Sequence, residues 1–449
     1  MADSPYVASD RDSSSTNNGG RWPSETLLLC ALFGALYFTQ GISEPTEGLV
    51  VQPTRWLLKS WGETNEQITS FAAWITLPWL LKPLYGLLAD FVPLGRNRRK
   101  NYLILTTAMA CLGFLGLYFY PPGMHAERWL FWALFVPTIA VAFTDVVVDA
   151  LMIGVGQPRG ITGHLQSVQW TAIWAATILN GELGGQFSDK LAVRGAFLLC
   201  SAAAGVAWLI ACCLRDDPPP PDTFDPHVTW RETRDEMTES IRQPVLWLLI
   251  AFLVLWNFTP LSMTVVYLYW TRTLGFDEVF YGHTVVWLAV GAMTASLGYG
   301  LYCRRVTRAV LMHLSIVLGI AATWAYWTVF DRSTAGVVSA LVGFAHMTAT
   351  LILLDLAAQI CPVRSAGTVF GVLMSVQNGS VMAATWLGGV LYDDWLARWG
   401  PKTAFQLLVG ISALPIVACW LFVPRLRRAL AATTGAAAAT ARRIAESAS

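Results

Sequence analysis

Charged residues are scarce in this sequence, since Asp, Glu, Lys and Arg make up only 13% of its 449 residues. A soluble protein of this size carries about a quarter charged residues, so this composition does not fit a water-covered surface. The net charge of +1 supplies no basic field that would attract nucleic acid. Hydrophobic residues reach 55% and gather in long runs. The composition therefore predicts a polytopic protein of the lipid bilayer, with no nucleic-acid partner.

Motifs for common catalytic and cofactor chemistry are also missing. The six histidines lack the paired spacing of a zinc site, and none of the eight cysteines forms a C-x-x-C pair. There is no Walker A motif for ATP-driven pumping and no repeated arginine pattern of a voltage sensor. We therefore expect no metal, no cofactor and no enzyme activity.

Twelve segments are long and apolar enough to cross a membrane, which requires about 20 mostly apolar residues per helix. Each must be helical, because irregular backbone facing lipid would leave its amides without hydrogen bonds. The predicted spans are 26–52, 66–91, 101–121, 129–153, 162–189, 194–214, 244–271, 279–302, 309–330, 334–360, 366–394 and 402–424.

The placement of Lys and Arg predicts the orientation of these spans. Of the 30 Lys and Arg residues, 20 fall on the side that holds both termini and 9 on the opposite side. Both termini are therefore predicted to be cytoplasmic. A plasma or inner membrane is the expected location, and an organelle envelope is the open alternative. The predicted units are a disordered N-terminal tail (1–25), a six-helix bundle (26–214), a central cytoplasmic loop (215–243), a second six-helix bundle (244–424) and a C-terminal tail (425–449).

Two short sequence matches indicate that the two bundles are copies of one unit. Leu183–Asp189 has the same spacing as Leu387–Asp393, which begins 204 residues later. The tripeptide at Asp149 is echoed at Asp355, 206 residues later. Parallel repeats related by an axis along the membrane normal suit alternating access. The predicted fold is thus all-α, with twelve transmembrane helices in two parallel six-helix repeats.

Lys82 is the one Lys or Arg that lies in the interior of a predicted span, away from its ends. It lies eight residues from Asp90, or about 12 Å deeper along a helix, close to the membrane midplane. A charge at that depth costs about 2.5–3.5 kcal/mol, so it needs a partner or a water-filled cavity. Lys82 is predicted either to meet an anionic solute or a mobile carboxylate, or to form a permanent ion pair with a neighbouring helix.

Asp145 and Asp149 share one helix face at positions i and i+4, and Asp145 is placed within reach of Lys82. A carboxylate there either exchanges a proton during transport or serves as a static partner. Other polar and aromatic residues inside the spans are candidates for lining the same pathway, although amides also bridge helices and tryptophans also fill cores. These candidates are Asp355, Trp79, Gln40, Gln166, Gln169, Asn257 and Gln377.

A small residue and several charges at the cytoplasmic end of span two indicate a gate rather than a binding site. Gly86 permits close helix approach, and Asp90 faces a basic turn that contains Arg98 and Arg99. These charges are suited to holding one conformation of the cytoplasmic side.

The pattern around these residues resembles a known family. Gly86, Asp90 and Arg98–Lys100 resemble the loop between spans two and three of the major facilitator superfamily. More specifically, Pro78–Asp90, Arg98–Leu105 and Asp145–Leu151 resemble the folate–biopterin transporter family. Span one departs from that family, because Glu44 and Glu47 make it more acidic.

The resemblance implies a twelve-helix, proton-coupled secondary transporter of folates, pterins or similar aromatic anionic solutes, acting as a monomer. Two alternatives remain open at this point. One is a transporter of another organic solute, similar to the muropeptide permeases, which the chain resembles around Pro78–Asp90. The other is a transport-dead membrane sensor, although such a protein more often carries a large soluble domain.

Overall fold

The computed structural model describes residues 24–92, 94, 98–123, 125–156, 159, 161–189, 193–214, 238, 242–302, 306–360 and 366–428. Within these ranges the chain is almost entirely helical and contains no strand. The predicted tails and nearly all of the predicted central loop lie outside the described residues.

Fifteen α-helices make up the described chain. They are α1 (Ser24–Ser43), α2 (Val51–Ser60), α3 (Asn65–Ile75), α4 (Leu77–Leu80), α5 (Lys82–Phe91), α6 (Arg98–Phe119), α7 (Glu127–Gly156), α8 (Thr162–Asp189), α9 (Val193–Cys213), α10 (Pro244–Asn257), α11 (Met263–Arg272), α12 (Glu278–Tyr302), α13 (Arg308–Ala325), α14 (Arg332–Ile360) and α15 (Ala366–Ala418).

The predicted number of membrane crossings is confirmed. Nine stretches of the described residues are long and apolar enough to span a membrane. One of them, Gly371–Arg428, is two crossings, because Gly400 has a positive φ of 78° and Pro401 begins a new helix. The more polar α8 and the broken pair α10–α11 supply the last two.

Three of the predicted spans are wrong as continuous helices. Span one is α1 and α2 separated by an irregular segment at 44–50, span two is α3 to α5, and span seven is α10 and α11 separated at 258–262. Prolines explain these breaks, because each removes a backbone donor and clashes with the preceding turn. The prolines concerned are Pro45, Pro78, Pro83 and Pro260.

Span one is also longer than predicted. Arg55 and Lys59, which follow the predicted end of span one at residue 52, lie on α2, which runs to Ser60. The break before α2 depends on Gly48, where a Cβ atom would lie 2.3 Å from the carbonyl oxygen of Glu44.

The hydrophobic core is arranged differently at the two ends of the bundle. At the end that carries Trp61 and Trp270, one apolar cluster includes residues from both six-helix repeats. We call this the sealed end. Toward the other end, a cluster around Leu103 draws on helices before α10, and a separate cluster around Phe252 draws on helices from α10 onward. The two repeats are therefore joined most extensively at the sealed end.

The matching glycine motifs pack in equivalent places in the two repeats. A Cβ atom at Gly185 of α8 would lie 2.8 Å from the carbonyl oxygen of Glu278, at the start of α12. A Cβ atom at Gly389 of α15 would overlap the side chain of Thr69 on α3. Each motif therefore forms a close contact with the opposite repeat, which agrees with the predicted duplication.

Candidate functional site

Lys82 and Asp145 form an ion pair inside the first repeat, as the sequence predicts. Lys82 Nζ lies 2.6 Å from Asp145 Oδ2, which joins the first residue of α5 to the middle of α7. The exposed fractions of the two side chains are 19% and 10%. Both side chains are therefore largely covered, and each keeps a small accessible area.

Trp79, on the adjacent short helix α4, contacts the Lys82 ammonium group. The chain breaks at Leu81, between α4 and α5, and this break places Trp79 beside the ammonium group. Lys82 Nζ lies 4.5 Å from the centroid of the Trp79 ring, a distance at which the ring face attracts a cation. Trp79 itself is buried. The lysine therefore contacts both a carboxylate and an aromatic face.

Gln40 binds the second oxygen of the same carboxylate. Its Nε2 donates to Asp145 Oδ1 at 2.6 Å, so α1 is tied to α7 at the ion pair. Both oxygens of Asp145 therefore have partners, which fixes the orientation of the carboxylate.

Asp149 is held one turn further along α7. Its Oδ1 accepts hydrogen bonds from Tyr37 Oη at 2.5 Å and from Gln169 Nε2 at 3.1 Å. Gln169 was a predicted site residue, whereas Tyr37 was missed. The available signal was its spacing, because Tyr37 and Gln40 are three residues apart on α1 and so share a face.

The other predicted pathway residues differ in how close they lie to the Lys82–Asp145 pair and in how far they are buried. Gln377 of α15 is half-buried, and its neighbour Asn378 donates to the Trp79 carbonyl oxygen at 3.4 Å, which brings the second repeat against α4. Gln166 is exposed on α8. Asn257 is buried and donates to Leu253 in its own helix at 2.9 Å, not to the Lys82 pair.

The side chain of Asp355 lies outside the described part of the chain, although its backbone is within α14. Among the predicted gate residues, Arg99 donates from Nη1 to the Ala150 carbonyl oxygen at 3.1 Å, and Gly86 faces Val146. The side chains of Asp90 and Arg98 are also outside the described part.

A second polar cluster closes the sealed end, and sequence reasoning missed it. Glu278, the first residue of α12, forms an ion pair with Lys59 of α2 and accepts a hydrogen bond from Tyr267 at 3.0 Å. Gln52 Nε2 donates to the Glu278 carbonyl oxygen at 2.6 Å. These contacts join the two repeats. The available signal was a pair of opposite charges at the ends of two apolar runs.

Comparisons with known proteins are consistent with this architecture. The BT1 family matches residues 45–403 of the chain. The "Folate-biopterin transporter" of Synechocystis sp. is 26% identical over 84% of this chain and 76% of its own length. The "Probable folate-biopterin transporter 4" of Arabidopsis thaliana is 24% identical over 78% of this chain and 86% of its own length.

Two solved structures share the arrangement of helices. The D-xylose–proton symporter superposes with a TM-score of 0.65 at 14% identity, covering 89% of this chain and 98% of its own. The nucleoside transporter NupG superposes with a TM-score of 0.67 at 11% identity, covering 88% and 99%. At these identities the likeness establishes a shared fold and carries no information about the solute.

Proposed function

The chain belongs to the BT1 family, and from this membership we propose that it moves folate-like or pterin-like solutes by proton-coupled alternating access. The chain is a multi-pass membrane transporter, and its family and relatives are transporters, not enzymes. The observation that carries the finer proposal is the partly accessible pair of Lys82 and Asp145, with Trp79 against the ammonium group.

The chemistry of this pair suits a flat heteroaromatic ring joined to an anionic tail. An ammonium group at mid-membrane attracts a carboxylate, and a neighbouring indole offers a face on which a planar ring stacks. Asp145 competes with the solute for the same lysine, so solute binding and the ionisation of this carboxylate are coupled. Asp149, held by Tyr37 and Gln169, is the second proton-carrying candidate.

The sealed end fits one of the two states of an alternating-access cycle. The prediction from Lys and Arg placement puts this end on the side away from the cytoplasm. We therefore assign the present structure to the state that faces the cytoplasm, with both termini on that side of a plasma or inner membrane. The predicted bundles 26–214 and 244–424 would then be the two bodies that rock, within a monomer.

Transport by reconstituted protein tests the substrate and the coupling separately. Proteoliposomes would be given radiolabelled folates, pterins, muropeptides and nucleosides, each with and without an inward proton gradient and an inside-negative potential. We expect accumulation of a folate or a pterin that rises with the gradient. Accumulation of a muropeptide alone would favour the other solute class, and indifference to both gradients would favour facilitated diffusion.

A further inference from the structure

The two repeats touch directly where α8 crosses α12. A Cβ atom at Gly181 of α8 would lie 2.7 Å from the Gly282 carbonyl oxygen, and a Cβ atom at Gly282 would lie 2.2 Å from the Gly181 carbonyl oxygen. A side chain at either position would therefore push the two backbones apart. Glu182 and His283, which directly follow these glycines, are brought together at this crossing, one from each repeat.

Glu182 and His283 form a contact between a carboxylate and an imidazole. His283 Nε2 lies 3.4 Å from Glu182 Oε2, and Gln186 Nε2 donates to Glu182 Oε1 at 2.8 Å. Both oxygens of the carboxylate therefore have a neighbour, which fixes its orientation toward the imidazole. The exposed fractions of the His283 and Glu182 side chains are 46% and 45%, so neither group is sealed inside the protein.

The pair lies near the sealed end of the bundle. Five residues separate His283 from Glu278, the first residue of α12 and part of the cluster that closes this end. At 1.5 Å per residue the imidazole is about 7.5 Å from that end of the helix. A group this close to the end of a spanning helix is near the polar headgroup layer, where water supplies protons. His283 is therefore placed to exchange a proton with the side of the membrane that the sealed end faces.

Glu182 is the charged group that reaches His283 from α8. Among the described residues, the other charged or titratable groups near this end, on the elements that pack against α12, have partners of their own. They are Asp277 with Arg332, Glu278 with Lys59 and Tyr267, Arg272 with Asn65, Tyr281 with the Met263 carbonyl oxygen, Tyr269 with the Phe405 ring, and His346 with the Trp256 ring. His164 and Tyr299 lie toward the opposite ends of α8 and α12, and the side chains of Asp189 and Asp355 are outside the described part of the chain.

The strength of this contact depends on the charge of the imidazole. Histidine is the side chain that ordinarily changes charge between pH 5 and 8. A protonated imidazole beside an ionised carboxylate forms an ion pair, whereas a neutral imidazole loses the charge attraction. The contact between the two repeats is therefore stronger in acid and weaker in alkali.

We propose that Glu182 and His283 form a proton-binding site that joins the two repeats, and that a proton on His283 stabilises the state in which the sealed end is closed. This inference rests on the proposed alternating access, because the pair affects the protein only if the repeats separate at this end. With the sealed end facing away from the cytoplasm, an acidic exterior favours closure there and opening toward the cytoplasm. The pair acts on this equilibrium whatever solute the protein moves.

The direct test is the distance across the sealed end, measured in the purified full chain without solute at about pH 8 and about pH 5.5. Spin labels at Ser60 and Thr273, introduced as cysteines after replacement of the native ones, report this distance. His283→Gln keeps a polar group beside Glu182 but cannot take up a proton. His125→Gln is the matched control, because His125 Nδ1 lies 3.9 Å from Glu127 Oε1 but both residues belong to the first repeat.

We expect the wild type and His125→Gln to shift toward the shorter distance at the lower pH, with a change of about fivefold in the ratio of closed to open molecules. His283→Gln should lose most of this shift. Glu182→Gln removes the same pair from the other repeat and should lose it as well, so it serves as the second variant where His283→Gln does not fold.

A wild type that does not respond to pH, or variants of the pair that respond as the wild type does, would overturn the proposal. Glu278→Gln, which weakens the sealed end without involving His283, separates the two levels of the argument. If Glu278→Gln lengthens the distance while the wild type ignores pH, the proton site fails and alternating access stands. If neither changes the distance, both fail.

Discussion

At the scale of single residues, one ammonium group and two carboxylates lie together in the interior of the first repeat, and each has a specific partner. Lys82 contacts Asp145 and the Trp79 ring, and Asp149 is bound by Tyr37 and Gln169. The two carboxylates differ in one respect that bears on their roles. Asp145 is neutralised by the lysine, whereas Asp149 contacts neutral donors.

We predict that Asp149 carries the proton that drives accumulation. Asp149→Asn keeps a group that interacts with Tyr37 and Gln169 but cannot take up or release a proton. We expect the variant to bind solute with wild-type affinity and to exchange it across the membrane, while losing accumulation driven by a proton gradient. Solute counterflow measures binding and exchange. Gradient-driven uptake in the same proteoliposomes measures accumulation.

Gln169→Leu is the matched control, because it removes one donor to Asp149 while leaving the titrating group in place. It should retain gradient-driven uptake in part. If Asp149→Asn still accumulates solute in response to the gradient, the proton is carried elsewhere.

At the scale of helices, the sequence allowed the number and order of the crossings to be predicted, together with the face shared by Asp145 and Asp149. The breaks in spans one, two and seven were not predicted, because hydropathy reports burial in lipid and is insensitive to a local loss of helical hydrogen bonds. Pro78 and Pro83 were visible, but a proline inside a span either kinks or interrupts a helix. Which of the two occurs depends on neighbouring helices, and those contacts follow only from the fold.

The same reasoning explains what was missed at the site. Tyr37 and Glu278 act through partners 112 and 219 residues away in the chain, so periodicity along one helix did not identify them. Lys82, by contrast, was conspicuous because a charge within an apolar run requires an explanation regardless of the fold.

We predict that the glycine motif of α15 does not tolerate a larger side chain. Gly388 lies where a Cβ atom would be 1.9 Å from the Pro260 carbonyl oxygen, so Gly388→Ala must move the break between α10 and α11. We expect this variant to lose about 1–3 kcal/mol of stability, the usual cost of overfilling a packed site. Thermal melting in detergent measures the change.

Gly371→Ala is the control on the same helix, since a Cβ atom there would meet no atom within 4 Å. It should melt as the wild type or slightly higher, because alanine favours a helix by about 1 kcal/mol over glycine. Equal melting temperatures for the two variants would contradict the packing described for the motif.

At the scale of the whole molecule, two six-helix repeats meet most extensively at the sealed end. The Glu278 cluster joins α2 to α11 and α12 there, and Asn65 of α3 donates to Asp393 of α15 at 2.5 Å. Under the proposed alternating access, these contacts separate in the opposite state. Their strength would then set the balance between the two states, in addition to the stability of each.

We predict that weakening the Glu278 cluster shifts the protein toward the state in which the sealed end is open. Glu278→Gln removes the charge that binds Lys59 and weakens the sealed end. We expect the distance between spin labels at Ser60 and Thr273, introduced as cysteines after replacement of the native ones, to shift toward longer values. Asp394→Asn, which removes an exposed ion pair within α15 at the same end, should leave the distance distribution unchanged. Identical distributions for Glu278→Gln and the wild type would show that other contacts hold this end closed.

We propose that Lys82 interacts with the transported solute and does more than hold two helices together. Lys82→Met leaves Asp145 without its charged partner, and breaking a buried pair in this way costs about 3–5 kcal/mol, less where the pair is partly exposed. Lys82→Met combined with Asp145→Asn removes both charges, so we expect most of that stability to return.

The most direct measurement is therefore uptake by the double variant in proteoliposomes, compared with its melting temperature. We predict that the double variant is nearly as stable as the wild type and does not accumulate folate or pterin solutes. Recovery of uptake together with stability would contradict it and reduce the ion pair to a structural contact.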